Sequence, residues 1–418
     1  MGAVAETADG QVFFEYDPAF ARSGLEISPR HLPLSRRGPI SFPQLRTLDA
    51  FQGLPGVLAD ALPDRFGNAV IKAYFEQKGR PADAMSPVQR LLYMGRRAIG
   101  ALEFSPPLDV PLGQAAEEAL EVRTLVEEAR RVVEGKSDVA VPEIMQLGAS
   151  AGGARAKAVI YWNTETDEIR SAFAEAQPGD VAWIIKFDGV GELGAPNPAP
   201  QPFNRIEYAY NLMAREAGIT VAEGRLMEER RLAHYLSRRF DRTPDGGRIH
   251  FHSLGGLDHH DFNAPRSYTY EQYLLICREL ALPPAALDEA YRRTVFNIVA
   301  VNQDDHVKNF AFLMDHEGRW GLSPAYDVTY AHGRGYTRTH QLRLNGKAEG
   351  FERGDLLALG AQLGLRQDGA RVIEQVGDAV KQWKKFAKVA KVPADRVKAI
   401  AAEHRTGLSR APTSRRST

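Results

Sequence analysis

Residues 302–312 read NQDDHVKNFAF, and this stretch decides which fold and which chemistry the sequence predicts. Upstream, PPAALDEAYRRTVFNIVAV carries one apolar stripe at helical spacing, formed by Leu287, Tyr291, Val295 and Ile298. Downstream, NFAFLM is short, aromatic and rich in residues that favour strands. Charged side chains at the junction of a buried helix and a strand cost stability unless they have a task. We therefore expect functional residues at this junction.

The polar residues of this stretch fit phosphoryl transfer. Asp304 and Asn309 are five residues apart, and Asp327 in LSPAYDV follows a predicted hairpin, FAFLM and RWGLS joined by DHEG. Transfer to a hydroxyl needs a carboxylate that orients or takes the proton, and oxygen ligands that hold magnesium against the phosphates of ATP. The protein-kinase catalytic loop has the same offset between its Asp and its Asn. The alternative is that Asp304, Asp305 and Asn309 only cap the helix and satisfy a turn.

A lysine in a predicted central strand favours the kinase interpretation. Lys186 follows the apolar residues of VAWIIKF, and a lysine is rarely buried unless it is paired. In a kinase-like lobe such a lysine grips the α- and β-phosphates and pairs with a helix glutamate. Glu207, beside the apolar stripe of IEYAYNLMAREAGI, is the expected partner. Alternatively, Lys186 lies at the end of the strand and reaches water.

A glycine-rich segment, LGASAGGARAKAVIYW, precedes these elements in the order found in kinases. Glycines let a loop approach phosphate with its backbone N–H groups. The segment is not a Walker A loop, because it has no GK[ST] tripeptide and a strand follows it. Alone the segment is weak evidence, and it gains weight from the lysine strand and the Asp and Asn pair.

The composition predicts a soluble cytoplasmic protein with no membrane partner. The 418 residues include 53 Lys and Arg against 53 Asp and Glu, so no overall charge indicates a nucleic-acid or membrane partner. The single cysteine, Cys277, excludes an internal disulfide and fits a reducing compartment. No apolar run approaches the roughly 18 residues that span a bilayer, and MGAVAETADG lacks the regions of a signal peptide.

Together with SAGGARAK, WIIKF, NRIEYAYNLMAREAGI, SRRFDR and LSPAYDV, the stretch resembles the HipA family of bacterial toxin kinases. The resemblance extends to the first domain through FFEYDPAF, GLPGVLADALPDRFGNAVI and YMGRRAIGALEF. The motif D-x-H-x-K-N followed by P-x-Y-D is specific to this family. The resemblance implies an α+β, protein-kinase-like two-lobed fold, with a sheet-rich N-lobe, a helical C-lobe and a small α+β N-terminal domain.

The composition shifts and the resemblance also divide the chain. We expect a HipA N-terminal subdomain at 1–105, a kinase-like N-lobe with the ATP loop at 106–242, a helical C-lobe at 243–405 and a disordered basic tail at 406–418. Family members usually carry one more strand before the segment that begins here at MGAV, so we expect an altered edge in the first domain.

The resemblance implies a role for each matching residue. Asp304 would be the catalytic aspartate, Asn309 and Asp327 the magnesium ligands, and Lys186 the phosphate-gripping lysine paired with Glu207. Further ATP contacts would come from the loop over ATP, from the hinge beside adenine and from two more side chains, namely Gly152, Gly153, Ala154, Arg155, Ala156 and Lys157; Arg238, Arg239 and Phe240; and His306 and Tyr326.

Two positions carry further expectations from the resemblance. The family autophosphorylates a serine in the glycine-rich loop, and Ser150 occupies that place. A phosphoserine adds nearly two negative charges where ATP phosphates must lie, so its formation is expected to expel the loop and stop catalysis. Arg238 stands where a glutamate is often found, so we expect its adenine contact to use the backbone.

The resemblance therefore implies an ATP- and Mg2+-dependent serine/threonine kinase toxin that phosphorylates an aminoacyl-tRNA synthetase. It also implies a HipB-like helix-turn-helix antitoxin as partner and contact with operator DNA mainly through that antitoxin. One alternative is a catalytically silent corepressor of such an antitoxin. Another is a metal-dependent hydrolase that uses Asp304, Asp305 and Asp327 as a carboxylate cluster. We expect the histidines of DHHD, residues 258–261, to be solvated and not to bind metal.

Overall fold

In this computed structural model, the structure describes residues 1–77, 79, 85–107, 121–136, 155–171, 175–191, 201–365 and 367–409. The chain forms two compact units. The first unit is Met1–Asn204, Glu223–Phe262 and Phe310–Arg319, and the second is Arg205–Ala222, Asn263–Asn309 and Trp320–Thr418. The first unit keeps residues 1–105 together with much of the following chain, so the predicted domain boundaries stay a prediction.

Helices and strands are numbered in chain order. Strands β1 to β12 span Gly2–Glu6, Val12–Tyr16, Lys157–Asn163, Glu168–Ser171, Asp180–Lys186, Gly224–Glu229, Leu232–Arg238, His250–Ser253, Tyr268–Thr269, Ala311–Met314, Trp320–Leu322 and Leu342–Arg343. Helices α1 to α12 span Gly56–Ala59, Arg65–Gln77, Pro87–Met94, Val122–Val133, Phe203–Glu216, Leu254–Leu257, Tyr270–Glu279, Pro284–Val299, Arg353–Leu363, Gly369–Lys381, Trp383–Val389 and Ala394–Glu403.

The first unit begins with an antiparallel hairpin of β1 and β2, in which Val4 lies opposite Phe14. The segment MGAV therefore forms the first strand of this pair. Phe14 is buried and also bridges to Ile40, which draws the hairpin onto the following chain. Ser86 begins α3 with a reciprocal capping box to Gln89, a sequence signal that fixes where a helix starts.

A five-stranded sheet forms the centre of the first unit, with the order β4-β3-β5-β7-β6 and every neighbouring pair antiparallel. The chain between β5 and β6 enters α5. Asn204, near the start of α5, donates its amide hydrogens to the carbonyls of Lys186 and Ala233, at 3.0 Å in each case. These two bonds fix the beginning of the helix to the central strands, so the predicted strand, helix and strand order is present here.

The predicted turn DHEG is also present. Asp315 accepts hydrogen bonds from the backbone N–H of Glu317 at 2.9 Å and of Arg319 at 3.0 Å, as Asp does in tight turns. The strand before this turn, β10, pairs with β8 in antiparallel register, with Phe312 opposite His252.

The second unit is mainly helical, and α8 forms its centre. Three residues of the predicted stripe, Tyr291, Val295 and Ile298, are completely buried, while Leu287 is partly exposed. The disordered tail predicted at 406–418 is wrong for its first four residues. Thr406–Ser409 form a short 3-10 helix in which Ser409 packs against α10 at Gly377, where a Cβ atom would collide with Ser409.

Helices and strands thus occur in both units, as an α+β chain requires. Within the described part of the chain, no helix combines the length and apolar character needed to cross a membrane.

Candidate functional site

The segment that follows α8 is held from both sides within the second unit. Asn302 forms a parallel bridge with Ala331, the N–H of Gln303 donates to the Ala331 carbonyl at 3.0 Å, and the Ala331 N–H donates to Val301 at 3.1 Å. The Asn302 side chain also donates to the Asn297 side chain of α8 at 2.9 Å. Asp304 therefore follows a backbone whose position is fixed.

Asp304 itself is accessible, because 40% of its side chain is exposed. The Nε2 atom of His306 lies 3.7 Å from its Oδ1 atom. The Asn309 side chain donates to the Asp304 carbonyl at 2.7 Å, which closes the five-residue segment into a turn. The turn interpretation is therefore right for Asn309, and it leaves the Asp304 carboxylate open to solvent.

Asp305 has the opposite environment, since it is completely buried. Its Oδ2 atom accepts from the Tyr270 hydroxyl at 2.5 Å and lies 2.7 Å from His340 Nδ1, and its Oδ1 accepts from the Gln341 N–H at 2.7 Å. These bonds join three separate parts of the second unit, namely Tyr270, Asp305 and the segment 340–341. A carboxylate held in this way positions the chain and is not open to a substrate.

The hydrolase alternative needs Asp304, Asp305 and Asp327 to share a metal. Asp305 gives its oxygens to protein donors, so the cluster lacks one of its three members. Among the residues that the structure describes, no group of three or more His, Cys, Asp or Glu side chains could hold a metal ion. The geometry therefore disfavours the hydrolase.

Tyr326 lies beside the same segment, and Asp327 follows Tyr326 in the chain. The Tyr326 hydroxyl donates to the Lys308 carbonyl at 2.6 Å. Ala325 is bridged to Val221, which fixes the backbone just before Asp327. Asp327 has φ +52°, a left-handed conformation that costs about 1–3 kcal/mol in a residue other than glycine. Strain of this kind is concentrated at functional sites, so it agrees with a role for Asp327.

In the first unit, Lys186 ends β5 and is only 8% exposed, so the alternative in which it reaches water is wrong. Lys157 lies opposite it in the register of β3 and β5, and is buried as well. The Lys157 Nζ atom is 3.1 Å from Oδ2 of Asp64, a residue that sequence reasoning missed. Asp64 precedes α2 as an N-cap would, but its pairing with a distant lysine leaves no sequence signal.

Glu207, the predicted partner of Lys186, lies within α5 and is 2% exposed. A carboxylate so deeply buried needs hydrogen bonds or a positive partner. Its ion pair with Lys186 stays a prediction.

The predicted hinge residues end β7 and follow it. The Arg238 guanidinium is partly exposed and lies 3.4 Å from the Glu223 carboxylate, and the backbone N–H of Arg238 donates to the Glu223 carbonyl. The Arg239 guanidinium is buried and donates to both carboxylate oxygens of Asp241, while the backbone N–H of Arg239 donates to the Ala182 carbonyl. The Arg239 guanidinium is therefore engaged within the protein, and the adenine contacts of Arg238, Arg239 and Phe240 stay predictions.

The buried Asp241 is kept ionised by its arginine neighbours. Burial raises the pKa of Asp241, but the guanidinium groups of Arg239 and Arg242 outweigh burial and lower it to about 2. The Arg239 side chain also donates to the Ala98 carbonyl at 3.1 Å. It therefore ties the hinge to the chain before residue 105, a role the sequence did not predict.

The predicted ATP loop is described only from Arg155 onward. Ser150, Gly152, Gly153 and Ala154 lie outside the described residues. The Arg155 guanidinium donates to the Asn204 side chain at the start of α5. Ala156 is buried, and its carbonyl accepts from the Phe187 N–H at 3.0 Å.

The prediction of solvated histidines in DHHD is wrong for His259. Its ring stacks on His31 at 3.7 Å between centroids, and its Nε2 atom accepts from the Gly56 N–H at 3.0 Å. Burial and the nearby His31 lower the pKa of His259 to about 3. This histidine holds neighbouring loops together in neutral form.

Two family models match this chain. The model of the HipA N-terminal domain matches residues 1–105, and the model of the HipA-like C-terminal domain matches residues 149–384. The second model alone covers more than half of the chain.

Among curated proteins, "Putative kinase Y4dM" of Sinorhizobium fredii (strain NBRC 101917 / NGR234) is 28% identical over 163 residues. The match covers 35% of this chain and 37% of that protein, so the chain spans little more than a third of the relative's length.

Among solved structures, one chain of the Shewanella oneidensis MR-1 complex of HipA, HipB and operator DNA is similar over 98% of this chain and 93% of its own length. Its TM-score is 0.69 at 17% identity, which confirms the predicted α+β, protein-kinase-like fold. The proinflammatory kinase CtkA of Helicobacter pylori covers 60% of this chain and 92% of its own at 12% identity. Its TM-score of 0.36 is too low to support an argument.

Proposed function

The chain belongs to the HipA family, and from that premise we propose that it is an ATP- and Mg2+-dependent serine/threonine kinase, the toxin of a toxin–antitoxin pair. The proposal assigns phosphoryl transfer to the segment after α8 and phosphate binding to the sheet of the first unit.

The observation that carries this proposal is the contrast between Asp304 and Asp305. A carboxylate that orients or takes a hydroxyl proton must be reached by that hydroxyl. The Asp304 side chain is 40% exposed, whereas Asp305 is buried and bonded to three protein donors. Asp304 is therefore the side chain that can act on a substrate hydroxyl.

Asn309 and Asp327 fit the ligands that Mg2+ prefers, which are carboxylate and amide oxygens. Because the amide nitrogen of Asn309 donates to the Asp304 carbonyl, its amide oxygen is the group left to ligate a cation. When bound, Mg2+ would neutralise charge on the phosphates of ATP. Both residues lie next to Asp304 or to the Tyr326 contact with Lys308.

Lys186 would bind the phosphates of ATP, with Glu207 holding its ammonium group. Both side chains are buried, and a buried lysine is stable when an anion or a carboxylate accompanies it. His306 and Tyr326 would contact the nucleotide beside Asp304. Residues 152–157 would cover the phosphates, and Arg238, Arg239 and Phe240 would lie at adenine.

The proposed partner and the proposed substrate are inferred from related proteins. The solved HipA chain is part of a complex with HipB and operator DNA, so we propose a HipB-like helix-turn-helix antitoxin as partner, with operator DNA contacted mainly through it. An aminoacyl-tRNA synthetase as substrate follows from the family resemblance alone.

Autophosphorylation gives the direct test. The purified chain is incubated with ATP and Mg2+ and its intact mass is measured beside Asp304→Asn and Ser150→Ala. We expect the mass of one phosphate in the wild type and in neither variant. If protein shown to be unphosphorylated beforehand gains no phosphate and transfers none to candidate synthetases, the kinase proposal fails and a silent corepressor takes its place.

A further inference from the structure

A cavity of about 400 Å³ lies in the first unit, where α4 and the turn between β6 and β7 line it together. The helix contributes Arg123 and Arg130, and the turn contributes Glu229, Arg230, Arg231 and Leu232. The lining holds four arginines against the carboxylates of Glu127 and Glu229, so two positive charges are in excess. None of these residues belongs to the predicted transfer site.

The turn departs from the residues that such turns favour. Glu229 and Leu232 are paired in the register of β6 and β7, so Arg230 and Arg231 form a two-residue loop. Arg230 has φ +54°, a conformation in which Gly, Asn or Asp is usual. Within the described part of the chain, neither guanidinium makes a hydrogen bond or an ion pair. Two adjacent positive charges therefore lie at a strained turn, and no hydrogen bond or ion pair within the described part of the chain offsets the free-energy cost of that strain.

The arginine on the opposite wall is held in position. The Nε atom of Arg130 donates to the Gly189 carbonyl at 2.7 Å. Gly189 has φ +70°, and a Cβ atom there would lie 2.8 Å from an Arg130 terminal nitrogen and 2.9 Å from Leu232. Glycine at this position therefore makes room for the Arg130 guanidinium against Leu232.

A buried histidine adds a donor beside the cavity. His234 is completely buried, and its Nδ1 accepts from the Asp188 N–H at 3.0 Å, so the hydrogen of the neutral ring is on Nε2. Nε2 has no hydrogen-bond partner among the described residues, and the Glu229 carboxylate of the lining lies 3.8 Å from it. Burial lowers the pKa of His234, which keeps it neutral. A buried donor without an acceptor costs stability until a ligand supplies one.

We propose that this cavity binds a phosphate monoester. Arg130, Arg230 and Arg231 would hold its oxygens, and the Nε2–H group of His234 would be a further donor beside the cavity. A monoester carries close to two negative charges at neutral pH, which matches the excess of two positive charges in the lining. Guanidinium groups fit phosphate oxygens with paired hydrogen bonds. The source is either a phosphorylated side chain or a small phosphorylated molecule.

Calorimetric titration of the full chain tests the proposal, with a phosphoserine peptide, the same peptide unphosphorylated and inorganic phosphate as probes. The variant Arg230→Gln with Arg231→Gln is compared with Arg36→Gln and Arg37→Gln, an adjacent and exposed arginine pair of the same unit outside the lining. We expect the first variant to weaken binding by at least roughly tenfold and the second to leave it unchanged. Affinity for ATP should be the same in both.

A further variant, Arg230→Gly, guards against loss of the fold. Glycine suits φ +54°, so we expect a higher melting temperature together with weaker phosphate binding. Preference for the phosphopeptide over inorganic phosphate supports a phosphorylated side chain, and equal affinities support a small phosphorylated molecule. No saturable binding at millimolar concentrations, or equal losses in the two double variants, would overturn the proposal.

Discussion

Two buried aspartates, one in each unit, have nearly the same surroundings. Asp60 is 2.8 Å from Nδ1 of His252 and accepts from the N–H and the hydroxyl of Ser253 at 2.8 and 2.5 Å. Asp305 is likewise bonded to a histidine Nδ1, a hydroxyl and a backbone N–H. The difference is the neighbour in the chain, because Asp305 follows the exposed Asp304. A buried aspartate with these three kinds of hydrogen-bond partner stabilises the core in one unit, and in the other it also lies next to the proposed catalytic residue.

The backbone at Asp304 is held in place although the Asp304 side chain is exposed. Asp305 fixes the backbone directly next to Asp304, so the exposed carboxylate of Asp304 follows a residue that is itself anchored. Asp60 joins its loop to His252, 192 positions away in the chain, and its own chain neighbours are Ala59 and Ala61. Substitutions at the two aspartates should therefore separate stability from activity.

Asp305→Ala is expected to have the largest effect on stability. It leaves the groups bonded to Asp305 at Tyr270, His340 and Gln341 without their acceptor in a buried site. The free energy of unfolding should fall by about 3–5 kcal/mol in urea denaturation, and phosphate transfer by the folded fraction should be lost. The control Asp395→Ala, at an exposed position of the same unit, should lose less than about 1 kcal/mol. A similar loss in both variants would remove the argument for Asp305 as the anchor.

Asp60→Ala is the matching substitution in the first unit, because Asp60 makes the same three kinds of hydrogen bond as Asp305. We expect the free energy of unfolding to fall by about 3 kcal/mol, since His252 and Ser253 lose a buried acceptor. The folded protein should keep its rate of phosphate transfer, measured at a temperature well below the transition. If the rate collapses while the protein remains folded, the two aspartates do not differ in the way the geometry indicates.

Acid should lower the free energy of unfolding by a smaller amount, through His250 beside the hydrogen-bonded cluster of Asp60. His250 lies next to His252, and burial lowers the pKa of His250 to about 4. An unfolded histidine takes up a proton near pH 6.5, so between about pH 6.5 and 4 the unfolded state binds more protons and stability falls as the pH falls. Between pH 7 and pH 5 the free energy of unfolding should fall by about 1–2 kcal/mol less in His250→Gln than in the wild type. The loss that remains in the variant belongs to other histidines whose pKa is lowered by burial, such as His259 and His404. An equal loss in this variant would contradict the assignment.

Sequence patterns predicted the parts of the site that are local in the chain. The stripe of α8 and the spacing of Asp304 and Asn309 depend on short-range regularities, and the Asn309 side chain is bonded to the Asp304 carbonyl just after this buried helix. The position of Asp327 as a second metal ligand stays a prediction. Lys186 was predicted from the contrast between its charge and its apolar strand. The structure buries it at the end of β5, beside the buried residues Trp183 and Ile185 of the same strand.

Pairings between distant positions could not be predicted. Asp64 meets Lys157, and His259 stacks on His31, through folds of the chain that no local pattern encodes. Arg239 was assigned to adenine, yet its guanidinium is bonded to Asp241 only two residues away. That pair was visible in SRRFDR, but a sequence does not show which side chains turn inward.

The most direct test measures ATP-dependent phosphate transfer by Asp304→Asn and Asp305→Asn beside the wild type, with melting temperatures taken on the same samples. The account predicts that Asp304→Asn keeps the wild-type melting temperature and loses transfer by roughly 10²–10⁴-fold, the usual contribution of a catalytic acid or base. It predicts that Asp305→Asn lowers the melting temperature. An Asp304→Asn protein that is folded and transfers phosphate at the wild-type rate would contradict the assignment of Asp304 as the catalytic residue.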